Sequence, residues 1–264
     1  MSARKFGLAA VTLCFIGGLV AAIFTPAIAA TLTLPAASGG GQAQHRPAPV
    51  ATRAPTSPAA QPTLPANGVT VLARDTFQRP DQSLWGTSSD GRTWGGDANI
   101  NPAFSIVNHA GQISGGQGAL QATLNVTNAD AEILLSGLAN RFDANGDINL
   151  GGVLRWQDPN NWYKVLIDGS RLQLLKDVNG KISVLGTRSF KAVAGTNYSI
   201  RFRVLGSDLF AKTWPSSQTE PASWMLMVID TQLTTGMSGI RVLLVPGAVI
   251  RVTLFLETSV SNAM

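Results

Sequence analysis

Residues 152–181 read GVLRWQDPNNWYKVLIDGSRLQLLKDVNGK. Three apolar runs are separated here by two tight-turn signals, Asp158-Pro159-Asn160-Asn161 and Asp168-Gly169-Ser170. Short β-rich runs joined by such turns are typical of consecutive hairpins in an all-β sandwich or barrel. The stretch therefore predicts three antiparallel strands and sets the fold class of the domain.

The same pattern continues on both sides of this stretch. Between residues 198 and 204, apolar and polar residues alternate, which places the apolar set on a core and the polar set on the opposite face. No segment of the domain shows a long helical period. We predict fourteen strands, at 71–77, 104–108, 111–114, 118–124, 131–138, 149–156, 161–168, 171–177, 182–188, 198–205, 208–214, 223–229, 237–244 and 249–257.

The first 30 residues have the order of a secretory signal peptide. Arg4 and Lys5 form a basic start, residues 6–24 are uncharged, and a small-x-small pattern ends at Ala29 or Ala30. An uncleaved anchor is the alternative, because about 17–25 apolar residues span a bilayer. Both place the domain outside the cytoplasm, secreted or at the cell surface. Cys14 is the only cysteine, so we expect no disulfide in the mature chain.

Composition divides the rest of the chain. Residues 31–67 are rich in Pro, Ala, Thr, Ser, Gly and Gln, and we expect a disordered tether there. Residues 68–258 suit one domain, and 259–264 a frayed end. Four of the 20 basic residues precede residue 69 while all 15 acidic residues follow it, leaving 16 basic and 15 acidic residues in the domain. This balance argues against a nucleic-acid partner.

Turn register predicts which outward side chains meet across each hairpin. In the first hairpin, Arg155 should oppose Trp162, while Trp156 falls on the core side. Trp85 and Trp94, which flank glycine turns, are expected in the core. We expect one basic, aromatic-bearing, ligand-binding face formed by Arg155, Trp162, Lys164, Gln173, Arg201, Arg203, Lys212 and Trp214. The alternative is that a loop, 215–223, folds over this face and buries its tryptophans.

Three motifs carry a resemblance to a known family. They are Asp75-Thr76-Phe77-Gln78-Arg79 with Trp85-Gly86, Asp90-Gly91 and Trp94; the segment 154–163; and Lys212-Thr213-Trp214 with Glu220-Pro221, Trp224, Asp230 and Gly239-Ile240-Arg241-Val242. Over residues 70–257 the chain resembles the concanavalin A-like, laminin G-like jelly-roll domains of bacterial secreted proteins. The resemblance implies two face-to-face antiparallel sheets, one of them concave, with glycan bound on the concave face or at edge loops. It also implies a structural calcium ion in many relatives, and some relatives are glycanases.

The glycanase motif of these relatives is missing. Glu-x-Asp-x-Glu on one strand points acid and nucleophile into the cleft about 5–5.5 Å apart. The three glutamates, Glu132, Glu220 and Glu257, form no such pattern. Asp158 with Asp168 and Asp143 with Asp147 are the remaining carboxylate pairs that we consider, although Asp beside Gly, Asn or Pro is commonly a turn residue.

A calcium site is predicted at Asp143, Asn145 and Asp147, which place three oxygen-bearing side chains at alternate positions. The loop departs from the helical calcium loop, because Leu154 stands where a bidentate glutamate is required. A polar turn between strands is therefore the alternative. We predict no other cofactor.

These patterns predict a secreted, non-catalytic carbohydrate-binding or adhesion module. Trp162 would stack on a sugar ring, and arginines would donate charge-assisted hydrogen bonds to a polysaccharide, including an anionic one. The alternatives are a structural cell-surface module that binds other proteins, and a glycan-active hydrolase. Membrane contact is expected only through an uncleaved N-terminal segment.

Overall fold

The computed structural model describes residues 69–261, which form a sandwich of two antiparallel β-sheets. The predicted signal peptide and tether lie outside the described residues. The only helical element in the described part is a 3-10 turn, Asp97–Asn99. Residues 69–261 thus contain no helix of the length and apolarity that a membrane crossing requires.

Sixteen strands make up the described chain. They are β1 (Val71–Asp75), β2 (Gln82–Ser83), β3 (Gly95–Gly96), β4 (Phe104–Val107), β5 (Ala110–Ser114), β6 (Gly118–Asn128), β7 (Ala131–Ala139), β8 (Leu150–Asp158), β9 (Asn161–Ile167), β10 (Arg171–Val178), β11 (Lys181–Ser189), β12 (Tyr198–Leu205), β13 (Asp208–Pro215), β14 (Leu226–Ile229), β15 (Gly236–Leu244) and β16 (Val249–Ser259).

The strands divide into a nine-stranded and a seven-stranded sheet. The nine-stranded sheet has the order β14-β13-β12-β7-β16-β5-β4-β2, and β1 pairs with the second half of β16. The seven-stranded sheet has the order β11-β10-β9-β8-β15-β6-β3. Alternate residues of both sheets face each other, and the fully buried Tyr163, Val165, Ile133 and Phe202 lie in this shared core. The predicted sandwich class is confirmed.

All fourteen predicted strands are present, with ends shifted by up to about four residues. The two strands that we did not predict, β2 and β3, have two residues each. A two-residue strand has no alternation to detect, because a period of two needs several residues to appear. The concanavalin A-like, laminin G-like assignment itself stays a prediction.

The opening motif of the domain closes one end of the core. The buried Asp75 carboxylate accepts hydrogen bonds from the Phe77 amide (2.8 Å), Trp94 Nε1 (2.7 Å) and the Arg79 guanidinium (2.8 and 3.0 Å). The rings of Phe77, Trp85 and Trp94 pack against one another with centroids 5.0–6.0 Å apart. A buried carboxylate is stable only when paired in this way. The predicted core positions of Trp85 and Trp94 are confirmed.

A bulge in β8 positions the outward side chains of the first hairpin. The pairs Val153–Lys164 and Leu154–Tyr163 follow the same register as the predicted Arg155–Trp162 pair, but the register shifts before Asp158, and Arg155 has a left-handed φ of 49°. Between the pairs Val153–Gly239 and Trp156–Met237, β8 has one residue more than β15, and one extra residue in a strand moves the following side chains to the opposite face. The predicted Arg155–Trp162 pair is therefore wrong, and Trp156 leaves the core side.

Candidate functional site

The eight predicted ligand residues do not share one face. Trp162, Lys164 and Gln173 lie on the outer face of the seven-stranded sheet. Arg201, Arg203, Lys212 and Trp214 belong to β12 and β13, so they lie on the outer face of the nine-stranded sheet, across the sandwich. The single-face prediction is wrong, because a turn determines which side chains of one hairpin align but not which sheet the hairpin joins.

The basic residues of the nine-stranded sheet are paired with carboxylates. Arg201 contacts Glu132 and places Nε 2.6 Å from Glu220 Oε1. Arg203 lies 2.7 Å from Glu132 Oε2, and Lys212 Nζ lies 2.7 Å from Glu220 Oε1. Hydrogen bonds to Arg201 and Lys212 outweigh burial and lower the pKa of the Glu220 carboxyl. These charges therefore compensate one another.

The segment after β13 folds over the same face. Lys212 Nζ donates to the Pro221 carbonyl at 2.7 Å, and the Lys212 and Arg203 cations lie 4.8 and 5.2 Å from the Trp224 ring centroid. Distances below about 6 Å are those of cation–π contacts. Trp214 is 5% exposed. The loop thus contacts the basic residues of this face, as the loop-cover alternative expects, whereas the Trp214 ring packs against Leu134, Leu254 and Leu256.

Arg155 is displaced from the predicted face and buried. Its guanidinium donates to the carbonyls of Ala129, Gly206 and Leu233, each at 2.7 Å, and to Asp130 Oδ1 at 3.2 Å. The side chain therefore joins the turns that follow β6 and β12 to the segment before β15. In this position its donors stabilise the fold.

Trp162 lies near the start of β9, on the outer face of the seven-stranded sheet. It is 2% exposed, and its Nε1 donates to the Pro159 carbonyl at 2.8 Å. The Arg241 guanidinium lies 5.0 Å from its ring centroid. Arg241 therefore occupies a face of the ring on which we expected a sugar to stack.

A hydrogen-bonded cluster adjoins Trp162. Gln121 Oε1 accepts from Trp156 Nε1 at 3.1 Å and from an Arg241 terminal nitrogen at 2.7 Å. These three half-buried residues come from β6, β8 and β15, and Asp177 on β10 pairs directly with Trp162. We name Gln121, Trp156, Trp162, Asp177 and Arg241 the outer cluster.

The sequence does not indicate most of the outer cluster. The predicted core position of Trp156 is wrong because the β8 bulge turns this side chain outward. Gln121 and Arg241 lie 120 residues apart in the chain, and only the pairing of β6 with β15 brings them together. Arg241 alone carried a signal, since it stands between two core residues in one of the motifs on which the family resemblance rests.

Burial perturbs two ionisable groups on this face. Asp177 is 4% exposed, and burial raises the pKa of its carboxyl although Arg241 acts in the opposite direction. Its Oδ1 has no hydrogen-bond partner among the described residues. Lys164 Nζ donates to Asn149 Oδ1 at 2.8 Å, and burial, with a smaller effect of Arg241, lowers its pKa to about 7.

Gln173 and Gly151 also lie on this face. Gln173 Nε2 donates to Thr187 Oγ1 of the neighbouring strand at 3.1 Å. A Cβ at Gly151 would lie 3.0 Å from Lys164 Cε and 2.3 Å from the Val165 carbonyl oxygen. Glycine at this position therefore lets the lysine stem cross β8 toward Asn149.

The predicted calcium loop forms a polar turn. Asp143 Oδ1 accepts from the amides of Gly146 (2.7 Å) and Asp147 (2.8 Å). Between residues 69 and 261, no group of three or more His, Cys, Asp and Glu side chains is arranged to hold a metal. This geometry agrees with the turn alternative, and calcium binding by Asp143, Asn145 and Asp147 stays a prediction.

Asp158 and Asp168 are separated by the full length of β9. Asp158 accepts hydrogen bonds from the Asn160 amide and the Asn161 side chain, whereas Asp168 accepts from Ser170 and Arg171. The two residues flank β9, so they lie roughly 20 Å apart at about 3.3 Å per residue. Glycosidase carboxylates act within about 9.5 Å of each other. These two aspartates therefore cannot act as one catalytic pair.

Comparisons with known proteins bear on the fold alone. No protein-family model and no curated protein matches the chain. Among solved structures, it is similar to xylan β-1,4-xylosidase from Bacillus halodurans C-125 (12% identity, TM-score 0.54) and to the GH43 protein BlXynB from Bacillus licheniformis (14% identity, TM-score 0.53). Each alignment covers 75% of this chain and 41% of the enzyme. Carbohydrate-binding module CBM66 from Bacillus subtilis aligns at 15% identity and TM-score 0.49, over 63% of this chain and 95% of the module.

Proposed function

We propose that this protein is a secreted, non-catalytic carbohydrate-binding module whose glycan lies against the outer cluster. One observation carries the proposal: three strands bring an indole, a primary amide and a guanidinium together on one sheet face. An indole buries the apolar face of a sugar ring, while amide and guanidinium groups bind hydroxyls. Secretion rests on the order of the N-terminal residues.

The polar groups of the two outer faces determine the face to which we assign the glycan. On the nine-stranded sheet, Arg201, Arg203 and Lys212 are paired with Glu132 and Glu220. On the seven-stranded sheet, Trp156 is half-buried, and Arg241 makes one hydrogen bond to the Gln121 side chain. Donors that are not consumed by ion pairs can exchange water for a ligand at lower cost. We therefore assign the glycan to the seven-stranded sheet.

Replacing Trp156 tests this proposal. The protein is titrated with a panel of soluble polysaccharides, beside the variants Trp156→Ala and Trp224→Ala. Trp224 is a matched control, because it is also a half-buried tryptophan but covers the nine-stranded sheet. We expect Trp156→Ala to weaken binding about tenfold or more, which corresponds to about 1.4 kcal/mol, and Trp224→Ala to leave affinity unchanged.

Two results would contradict the proposal. One is a folded protein that binds no polysaccharide on the panel. The other is an equal loss of affinity in both tryptophan variants, which would indicate a general effect on the fold.

The same titration with added calcium and with chelator tests the predicted calcium loop, through the change in affinity and in melting temperature.

A structural surface module is the second candidate, and one observation favours it. β11 and β14 are edge strands of the two sheets and lie beside each other. Four large apolar side chains on them are strongly exposed: Ile182 (60%), Val184 (59%), Met227 (66%) and Ile229 (75%). Unpaired strand edges with exposed apolar residues favour association with another chain, and we propose that this chain is a second copy of the protein.

A further inference from the structure

Two carboxylates act electrostatically on Arg241, the single arginine of the outer cluster. Burial lowers the pKa of Arg241, and attraction to Asp177 and Asp97 opposes that effect. Asp97 Oδ2 also accepts a hydrogen bond from the backbone amide of Gln121 at 2.9 Å, so this carboxylate is held beside the cluster. Two carboxylates thus offset one guanidinium, and the local charge does not favour an anionic ligand.

The remaining basic residues do not change this balance. Arg201, Arg203 and Lys212, which the sequence suggested for an anionic polysaccharide, are on the other sheet and paired with glutamates. Lys164 shares the outer face, but its amine is 5% exposed and donates to Asn149. A buried amine of lowered pKa gives little attraction to an anion.

Asp177 supplies a second and independent observation. The residue is 4% exposed, and Oδ1 is a buried acceptor with no hydrogen-bond donor among the described residues, while a backbone hydrogen bond from Gly180 acts on the carboxyl group. Such an acceptor is costly to leave unsatisfied, so a donor is expected to reach it. Asp177 pairs on β11 with Ile182, which is 60% exposed, so the approach to this carboxylate runs over an edge strand.

We infer that the ligand is an uncharged glycan, and that one of its hydroxyl groups donates to Asp177 while Arg241 donates to a sugar oxygen. This inference rests on the proposed function and narrows its ligand class. A neutral sugar carries both hydroxyl donors and ring or hydroxyl acceptors, which match a carboxylate and a guanidinium beside an indole. A uronate or sulfated sugar would bring its charge close to Asp177 and Asp97, where repulsion opposes binding.

The substitution Asp177→Asn distinguishes a neutral from an anionic ligand, because it should change the affinity for the two in opposite directions. Asp177→Asn removes a negative charge and retains the shape of the side chain. If the ligand is neutral, the variant loses a charge-assisted hydrogen bond and binds about tenfold more weakly. If the ligand is anionic, the variant loses a repulsion and binds more tightly. Asp208→Asn is the control, because it removes the same charge at a half-buried position of the other sheet.

The experiment titrates the full chain and both variants with neutral and uronate-containing polysaccharides, at low and at high salt. We expect neutral polymers to bind, salt to have little effect, and Asp177→Asn alone to weaken binding. Preferential uronate binding that salt weakens and Asp177→Asn strengthens would overturn the inference, while the proposed function would stand. If no polymer binds the folded protein, both the proposed function and the inference are wrong. If Asp177→Asn does not fold, the comparison of polymers and salt on the unaltered protein decides.

Discussion

Two buried ionisable residues respond to pH in opposite directions. Glu257 is fully buried on β16 and hydrogen-bonds Ser238 and Asn128 of the opposite sheet, and burial raises the pKa of its carboxyl to about 7. Lys164 is buried on the outer face, where burial lowers its pKa to about 7. The first group favours the folded state when protonated, and the second when deprotonated.

We expect these two residues to produce a minimum of the unfolding free energy near pH 7. The folded state holds the Glu257 proton more tightly, so stability is lost as pH rises from about 4.5 to about 7, by at most about 3 kcal/mol. The unfolded state holds the Lys164 proton more tightly, so stability is gained as pH rises from about 7 to about 10.5. Urea unfolding below, near and above pH 7 measures both slopes.

Two variants test which residue causes each slope of the unfolding free energy with pH. Glu257→Gln should remove the loss on the acid side, and Lys164→Met should remove the gain on the alkaline side. Each variant serves as the control for the other, since it should leave the opposite slope unchanged. A slope that persists in its own variant would show that another group titrates there.

At the scale of a single element, the β8 bulge decides the roles of two neighbouring residues. Its left-handed Arg155 reaches three carbonyls and Asp130, whereas Trp156 turns to the outer face. The sequence predicted the hairpin partners before the bulge correctly. Nothing in the run Leu154-Arg155-Trp156 marks the inserted residue, because the bulge is stabilised by carbonyls far away in the chain. The predicted positions of Arg155 and Trp156 are therefore exchanged.

We expect Arg155→Ala to lower the unfolding free energy by about 2–4 kcal/mol, because it leaves buried carbonyls without donors. Arg155→Lys should recover little of this loss, since one ammonium cannot reach acceptors in several directions. Arg188→Ala on the exposed strand β11 is the control and should change stability by less than about 0.5 kcal/mol. Equal stability of Arg155→Ala and Arg188→Ala in urea unfolding would refute the role of this arginine.

At the scale of the whole molecule, the sandwich leaves two adjacent apolar edges. We expect concentration-dependent self-association in sedimentation velocity, because unpaired edges of β11 and β14 can pair with those of a second copy. Val184→Lys and Met227→Lys should each abolish it, since a charge on an edge strand opposes pairing. Val193→Lys, at an exposed valine outside both strands, is the control. A monomer at every concentration would remove the support for the structural-module alternative.

From the sequence alone one could predict the fourteen longer strands, the hairpin residues that share a side outside the β8 bulge, and the core positions of Trp85 and Trp94. These properties depend on local alternation and turn chemistry, which act over a few residues. The sequence could not predict which sheet each hairpin joins, that Arg155 is a bulge residue, or that Gln121, Trp156 and Arg241 meet. Those outcomes depend on contacts between residues far apart in the chain, because a period of two specifies a side of a strand but not its neighbour.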